Sequence, residues 1–174
     1  MKNLKSIHFL ITGGTIGSEW SPVEDTAVVT AQNSVNEYIK EFIAPDFEVK
    51  QTIVTMKDSR EVTDYTREEI LSAITKSKSD NMIITHGTYT MAETGRFLKN
   101  KIKEIGDKRI ILVGSFWPLK GYSPSDAAFN LGFAIGSLQA VEPGVYVTMH
   151  AALFDPDKVT KDVEHAHFKL KRDM

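Results

Sequence analysis

The sequence predicts an α/β fold: one three-layer domain, residues 1–174, with a mainly parallel sheet and helices on both faces. Three observations lead there. Five short runs rich in β-branched and other apolar residues recur along the chain. Helix-like segments separate them, and no repeat, low-complexity stretch or internal linker interrupts the alternation. Strand–helix–strand repetition calls for right-handed crossovers, which set the strands parallel and the helices on either side. A chain of 174 residues can bury one substantial core and is short for two.

The strand-like runs are "SIHFLIT" (6–12), "VKQTIVTM" (49–56), "NMIITHG" (81–87), "KRIILVG" (108–114) and "GVYVTMH" (144–150). The first helix, predicted at 34–43, opens with Ser34 and Glu37 at the spacing of a reciprocal cap, and Thr66 and Glu69 repeat it in 66–76. Two further helices are predicted at 91–105 and 126–141. Between the first strand and first helix, "GSEWSPVEDTAVVTAQ" (17–32) has no clear period and reads as a long mobile loop of the kind that forms lids.

Composition narrows the function. A net charge of -2 and a pI near 6.2 give no electrostatic case for nucleic acid. The basic cluster "KLKR" (169–172) reads as a frayed, solvated end. With no cysteine, disulfides, zinc–thiolate sites and thiol nucleophiles are excluded. The apolar run 7–11 is too short for a signal-peptide core, and nothing approaches the ~18 apolar residues of a membrane span. A soluble, cytoplasmic protein without a membrane partner is expected. His150, His165 and His167 have no carboxylate at ligand spacing, so neither metal nor cofactor is expected.

In open α/β sheets, ligands bind beyond the carboxyl ends of the strands. Those ends carry "TGGTIG", "KDSREVT", "HGTYT", "GSFWP" and "MH", four of the five rich in glycine, hydroxyl or charged groups. "TGGTIG" has Thr12 where a dinucleotide fingerprint needs its first glycine, and no acidic residue follows at the required distance. Gly13 and Gly14 allow a sharp turn that brings amide N–H groups close to a ligand. Thr15 then either presents a reactive hydroxyl or simply caps a tight turn. Arg60 either grips a carboxylate through two parallel N–H groups or pairs with Asp58 or Glu61. Phe116, Trp117 and Tyr122 suit an interface, a wall of the site or the core equally.

"ITGGTIG", "THGTYTMAETGRFL", "GDKRIILVGSFWP" and "SDAAFNL", in this order and spacing, resemble the asparaginase/glutaminase amidohydrolase family. The resemblance is to its N-terminal catalytic domain and covers nearly the whole chain. It implies a hydrolase that releases ammonia from a small amide or amino acid such as asparagine or glutamine, without metal or cofactor. Thr15 would be the nucleophile, and Thr88 the second active-site threonine with Lys161 as its basic partner. Ser59 would hold the substrate carboxylate, with Arg60 beside it. Backbone around Gly14, Gly87 and Thr88 would supply oxyanion donors. The chemistry is demanding: a threonine hydroxyl needs a base, and an amide needs donors for its developing oxyanion. A lysine base near neutrality needs its pKa brought from about 10.4 to near 7, roughly 4 kcal/mol of environmental bias.

Two departures from the family pattern stand out. Tyr89 occupies the place of an aspartate that, in the family, pairs with the lysine and binds the substrate's α-ammonium. A phenol with a pKa near 10 is no anion at neutral pH, though it can donate a hydrogen bond or offer its ring face to a cation. The family also carries a second domain of comparable size, and its lid supplies a tyrosine, whereas Trp20 is the one aromatic residue in 17–32. Surface left uncovered would favour a homodimer or higher homo-oligomer. The reading from another class is a non-catalytic module that binds an amino acid or dicarboxylate in the same pocket.

Overall fold

The computed structural model describes residues 4–29 and 34–171. In chain order the strands and helices are β1 (Ser6–Gly13), β2 (Glu19–Ser21), β3 (Thr26–Val28), α1 (Ser34–Glu37), β4 (Glu48–Lys57), α2 (Asp64–Lys76), β5 (Asn81–Thr85) and α3 (Met91–Asn100). Then follow α4 (Ile102–Ile105), β6 (Arg109–Val113), α5 (Ala127–Ser137), β7 (Gly144–Met149), β8 (Ala152–Phe154), β9 (Val159–Asp162) and β10 (His167–Leu170). The main sheet runs β4-β1-β5-β6-β7-β8, parallel throughout except for β8, which returns antiparallel on β7.

The period of two along each strand builds the layers. Leu10, Ile84 and Leu112 point to one face, where they meet Ile70 and Ile74 of α2 and Leu98 of α3. Their neighbours Phe9, Ile11, Ile83, Ile111 and Val113 point to the other, against Val35, Ile39, Leu131 and Leu138. All of these side chains are buried, each contributing about 1.5–3 kcal/mol relative to exposure. Both faces of the central strands are covered, which explains why they read as continuous apolar runs.

The strands match the sequence expectation closely; the connections differ. The helix expected at 34–43 is one α-helical turn followed by a π-helical stretch, Tyr38–Ile43, closed by Ala44 N–H on the Ile39 carbonyl at 3.0 Å. Its expected cap does not form: Ser34 Oγ has no hydrogen-bond partner among the described residues, and Glu37 turns to Lys120 at 3.6 Å. Helix α2 starts earlier than expected, with Thr63 as its cap, because extended Thr63 aims Oγ1 at the Thr66 N–H while Thr66 is buried. The helix expected at 91–105 breaks at Lys101 into α3 and α4.

The stretch expected to be a mobile loop is instead a short antiparallel hairpin, β2 on β3, through residue 29. It is pinned from outside the segment. Trp20 N–H donates to the Lys120 carbonyl at 3.0 Å, and the Trp20 ring lies 4.9 Å from Tyr122 and 6.3 Å from Trp117. Trp117 and Tyr122 stack on each other at 4.4 Å. The aromatic residues thus clasp the hairpin to the connection after β6. "KLKR" is only partly a free end: Lys169 and Leu170 belong to β10, and Arg172 lies outside the described residues.

Candidate active site

The strand order places β1 between β4 and β5, so the connection leaving β1 runs toward β4 on one side and the connection leaving β5 runs toward β6 on the other. A crevice opens beyond the carboxyl ends of two strands at such a switch point. "TGGTIG" leaves β1 there and "HGTYT" leaves β5 beside it.

The two turns touch through their glycines. Gly14 has φ 76°, and a Cβ on it would lie 2.3 Å from the Gly87 nitrogen. A Cβ on Gly87 would in turn lie 2.6 Å from Ser59 Oγ. Only glycine permits both the left-handed turn and this stacking of three backbones. Gly14 N–H is anchored on the Lys57 carbonyl at the end of β4, 2.9 Å away. Thr15 then opens a single 3-10 turn (Thr15–Gly17), part exposed, its hydroxyl making no hydrogen bond to a described residue.

The Thr88 side is far more constrained. Ser59 Oγ accepts the Tyr89 N–H at 3.2 Å, and Thr90 Oγ1 donates to the Ser59 carbonyl at 2.6 Å. Because Ser59 Oγ serves there as acceptor, its own hydroxyl proton is unspent. Beneath the turn lies His86, wholly buried, whose ring reading the sequence alone did not single out. Its Nδ1 lies 2.9 Å from the Gly87 carbonyl, which can only accept, so that nitrogen carries the proton. Nε2 therefore accepts from Thr94 Oγ1 at 3.0 Å. Burial pushes the His86 pKa down to about 4, and the neutral ring holds the Gly87 carbonyl in place. No local pattern marks the pair, since His86 lies among other polar residues in "THGTYT" and Thr94 in "ETGR"; burial is what obliges the two to find each other.

Lys161 reaches Thr88: its Nζ donates to Thr88 Oγ1 at 2.8 Å. The contact spans 73 positions of sequence, and the "FDPD" loop before β9 explains how it is held. Lys99 of α3 binds Asp155 at 2.6 Å and Asp157 at 2.7 Å, while Arg96 donates to the Pro156 carbonyl at 3.1 Å. Gly95 lets Pro156 pack directly on α3. The chain then enters β9, where Lys161 pairs in register with Phe168 of β10. Burial lowers the Lys161 pKa, Asp58 opposes that and Arg60 adds to it.

Tyr89 lays its ring against Lys161, with Nζ 3.5 Å from the ring centre, and the Arg60 guanidinium lies 5.0 Å away. A ring face so placed favours a cation by about 0.5–2 kcal/mol, less than a desolvated carboxylate would. Arg60 does not present a free fork. Its Nε and Nη2 bind the two oxygens of Asp58 at 3.0 and 2.9 Å, so the ion-pair alternative describes its position. That pairing holds the Asp58 carboxyl below its usual range.

The connection after β6 closes the far wall. Phe116 lies 5.1 Å from Lys161 Nζ and 5.4 Å from the His150 ring. Asp126, which the sequence reading also passed over, receives the Phe116 and Trp117 N–H groups, Asn130 Nδ2 and His150 Nε2. Of the aromatic trio, Phe116 walls the site while Trp117 and Tyr122 hold the hairpin. Among the described residues no group of three or more His, Asp or Glu is arranged to hold a metal ion.

Beyond a glycine-stacked crevice carrying two threonines and a half-buried lysine, comparison with known proteins names the lineage. The family model for Asparaginase, N-terminal, matches residues 6–167, so this chain belongs to the asparaginase family. A glutaminase-asparaginase of Acinetobacter glutaminasificans is 31% identical over 93% of the chain and 51% of that protein. The L-asparaginase 2 of Escherichia coli is 32% identical over 91% of the chain and 47% of that protein. The solved L-asparaginase I of Vibrio cholerae superposes with a TM-score of 0.82 at 25% identity, covering 97% of this chain and 52% of that one. The chain thus spans about half the length of these relatives.

Proposed function

We propose that this α/β unit hydrolyses a small carboxamide to the acid and ammonia, with Thr15 as nucleophile. The observation that carries the reading is the 2.8 Å hydrogen bond from half-buried Lys161 to Thr88, beside the crevice where Thr15 stands. Neutral Lys161 draws the proton of Thr88, and the threonine pair relays the proton of Thr15 as its Oγ attacks the amide carbon. The resulting oxyanion is met by backbone donors; the Thr88 N–H, which donates to no described acceptor, is available for this. The captured proton passes to the departing nitrogen, which leaves as ammonia. Water then cleaves the Thr15 ester, releasing the acid and restoring the hydroxyl. Amide and water are consumed; acid and ammonia are produced.

Ser59 is the proposed carboxylate donor through its unspent proton, with Gly14 and Gly87 shaping the backbone cradle. Arg60 acts in this proposal through Asp58 and the Tyr89 ring rather than as a bidentate grip. Self-association into a homodimer or higher homo-oligomer belongs to the same proposal, supported by exposed Phe42 and Phe129 and tested by sedimentation. Cytoplasmic placement is likewise proposed; among the described residues no helix is long and apolar enough to cross a membrane. The non-catalytic reading draws support from Tyr89 at the aspartate position. Ammonia release from asparagine, glutamine and succinamate, in the native chain and in Thr15→Ala, tests between them. Release that vanishes in the variant supports the hydrolase; ligand binding with no release from any amide supports the binding module.

A further inference from the structure

The charge around Lys161 points to a kind of substrate. Within the reach of Lys161 the acid that acts on it is Asp58, and both Asp58 oxygens are held by Arg60. A cleft of about 130 Å³ runs behind Tyr89, lined by Thr88, Lys161, Arg96 and Lys171 with Glu93 as its one acid. Glu93 is in turn bound by Arg67 at 3.2 Å. Arg96 and Lys171, joined by Lys161 whenever it is protonated, thus face one acid that is already paired, while Tyr89 gives its ring to Lys161. An incoming ammonium would find in this cleft only Glu93, whose Oε2 is already bound by Arg67, and would sit beside like charge. An incoming carboxylate in this cleft meets Arg96 and Lys171 beside Lys161.

Larger clefts do not compete for this role. One of about 400 Å³ lies at His8, near the amino end of β1, and both His8 nitrogens are already bonded, to Ser77 at 2.8 Å and Thr52 at 2.9 Å. Another of about 510 Å³ between Lys5, Phe47 and Ile135 holds no nucleophile beside a base. The small cleft at Tyr89 has room for a short acid chain, well below the size of a drug-like ligand.

We infer that the site takes carboxamides whose acid half carries a free carboxylate but no free α-ammonium, either amine-free or with the amine acylated. This rests on the amidohydrolase reading for the bond that is broken, but the preference can be read from binding alone. Calorimetric titration of the Thr15→Ala chain with succinamate, N-acetyl-L-asparagine and L-asparagine decides it. The expected result is at least tenfold tighter binding of one of the first two than of asparagine. Tighter succinamate identifies an amine-free acid, and tighter N-acetyl-asparagine a capped one. Tyr89→Asp, which restores a carboxylate beside Lys161, is expected to move the preference at least tenfold toward asparagine. Tyr89→Asn, which removes the ring but adds no charge, is expected not to reverse it. Equal or tighter binding of asparagine by the Tyr89 chain overturns the inference, and so does binding of none of the three. Selective binding without ammonia release by the native chain would overturn the hydrolase reading and leave the preference standing. Ammonia release fastest from asparagine would do the opposite.

Discussion

The two threonine turns of the site are built in opposite ways. The Thr88 turn is held from every side: His86 below, Ser59 and Thr90 at its flank, Lys161 on its hydroxyl. The Thr15 turn is fixed mainly through its backbone, by Gly14 on Lys57 and on Gly87 and by Ser18 Oγ on the Gly14 carbonyl at 3.0 Å, with Ile16 buried in the core, and the Thr15 hydroxyl makes no hydrogen bond to a described residue. The contrast matches the demands on each group. A base works only if its orientation and pKa are set beforehand, whereas a nucleophile must stay free until substrate arrives. Preorganisation is concentrated where electrostatics must be tuned.

Breaking the nucleophile side should cost activity and little else. Thr15→Ala is expected to lower ammonia release about a thousandfold or more, while the unfolding free energy from urea titration stays within about 0.5 kcal/mol of native. Removing the base should fall in the same range or below: Lys161→Met is expected to reduce the rate about a hundred- to ten-thousandfold. The rate–pH profile sharpens that role. In the proposed mechanism neutral lysine is the working form, so the rate should rise with pH through the Lys161 pKa, and burial places that rise below the ordinary lysine range.

The Thr88 side should instead show its construction in stability. His86 has its folded pKa depressed from 6.5 to about 4, so the unfolded chain binds more protons between those values. Stability should therefore fall as pH drops from about 6.5 to about 4, by about 3 kcal/mol from this group. Urea unfolding at pH 7 and 4.5 measures it, and His86→Asn should flatten that slope. Gly14→Ala tests the contact between the halves: a Cβ 2.3 Å from the Gly87 nitrogen, at φ 76°, should destabilise by about 2–3 kcal/mol. The smallest effect is expected from Tyr89→Leu, which removes a cation–ring contact of about 0.5–2 kcal/mol and should shift the rising limb of the rate to lower pH. An unmoved limb would mean that the ring does not act on Lys161.

Some of this was legible from residue order alone. The five central strands and the two glycine turns follow from local pattern, because a strand buried on both faces writes itself as an uninterrupted apolar run, whereas Thr15 and Thr88 were singled out through the family resemblance. The carboxyl-end rule then gathers the polar turns at one edge without further information. The placement of helices was legible; their ends were not, since Thr63 rather than Thr66 caps α2 and the stretch at 34–43 settles into a π-helical turn. Those choices depend on which side chain the core claims. His86 and Asp126 were given no role because each sits in a polar stretch whose hydrogen-bond partners residue order does not reveal.

What the sequence by itself determined is the layered sheet and the gathering of polar turns at its carboxyl edge, because periodicity and turn chemistry are local. Only the tertiary structure decided that Lys161 meets Thr88 across 73 positions, that Arg60 spends its fork on Asp58, and that Tyr89 turns its face to the lysine. It likewise decided that 17–29 is a clasped hairpin rather than a free loop. These are pairings between residues far apart in the chain or free to choose among several partners. Their outcome is set by packing geometry and burial, which no local pattern encodes.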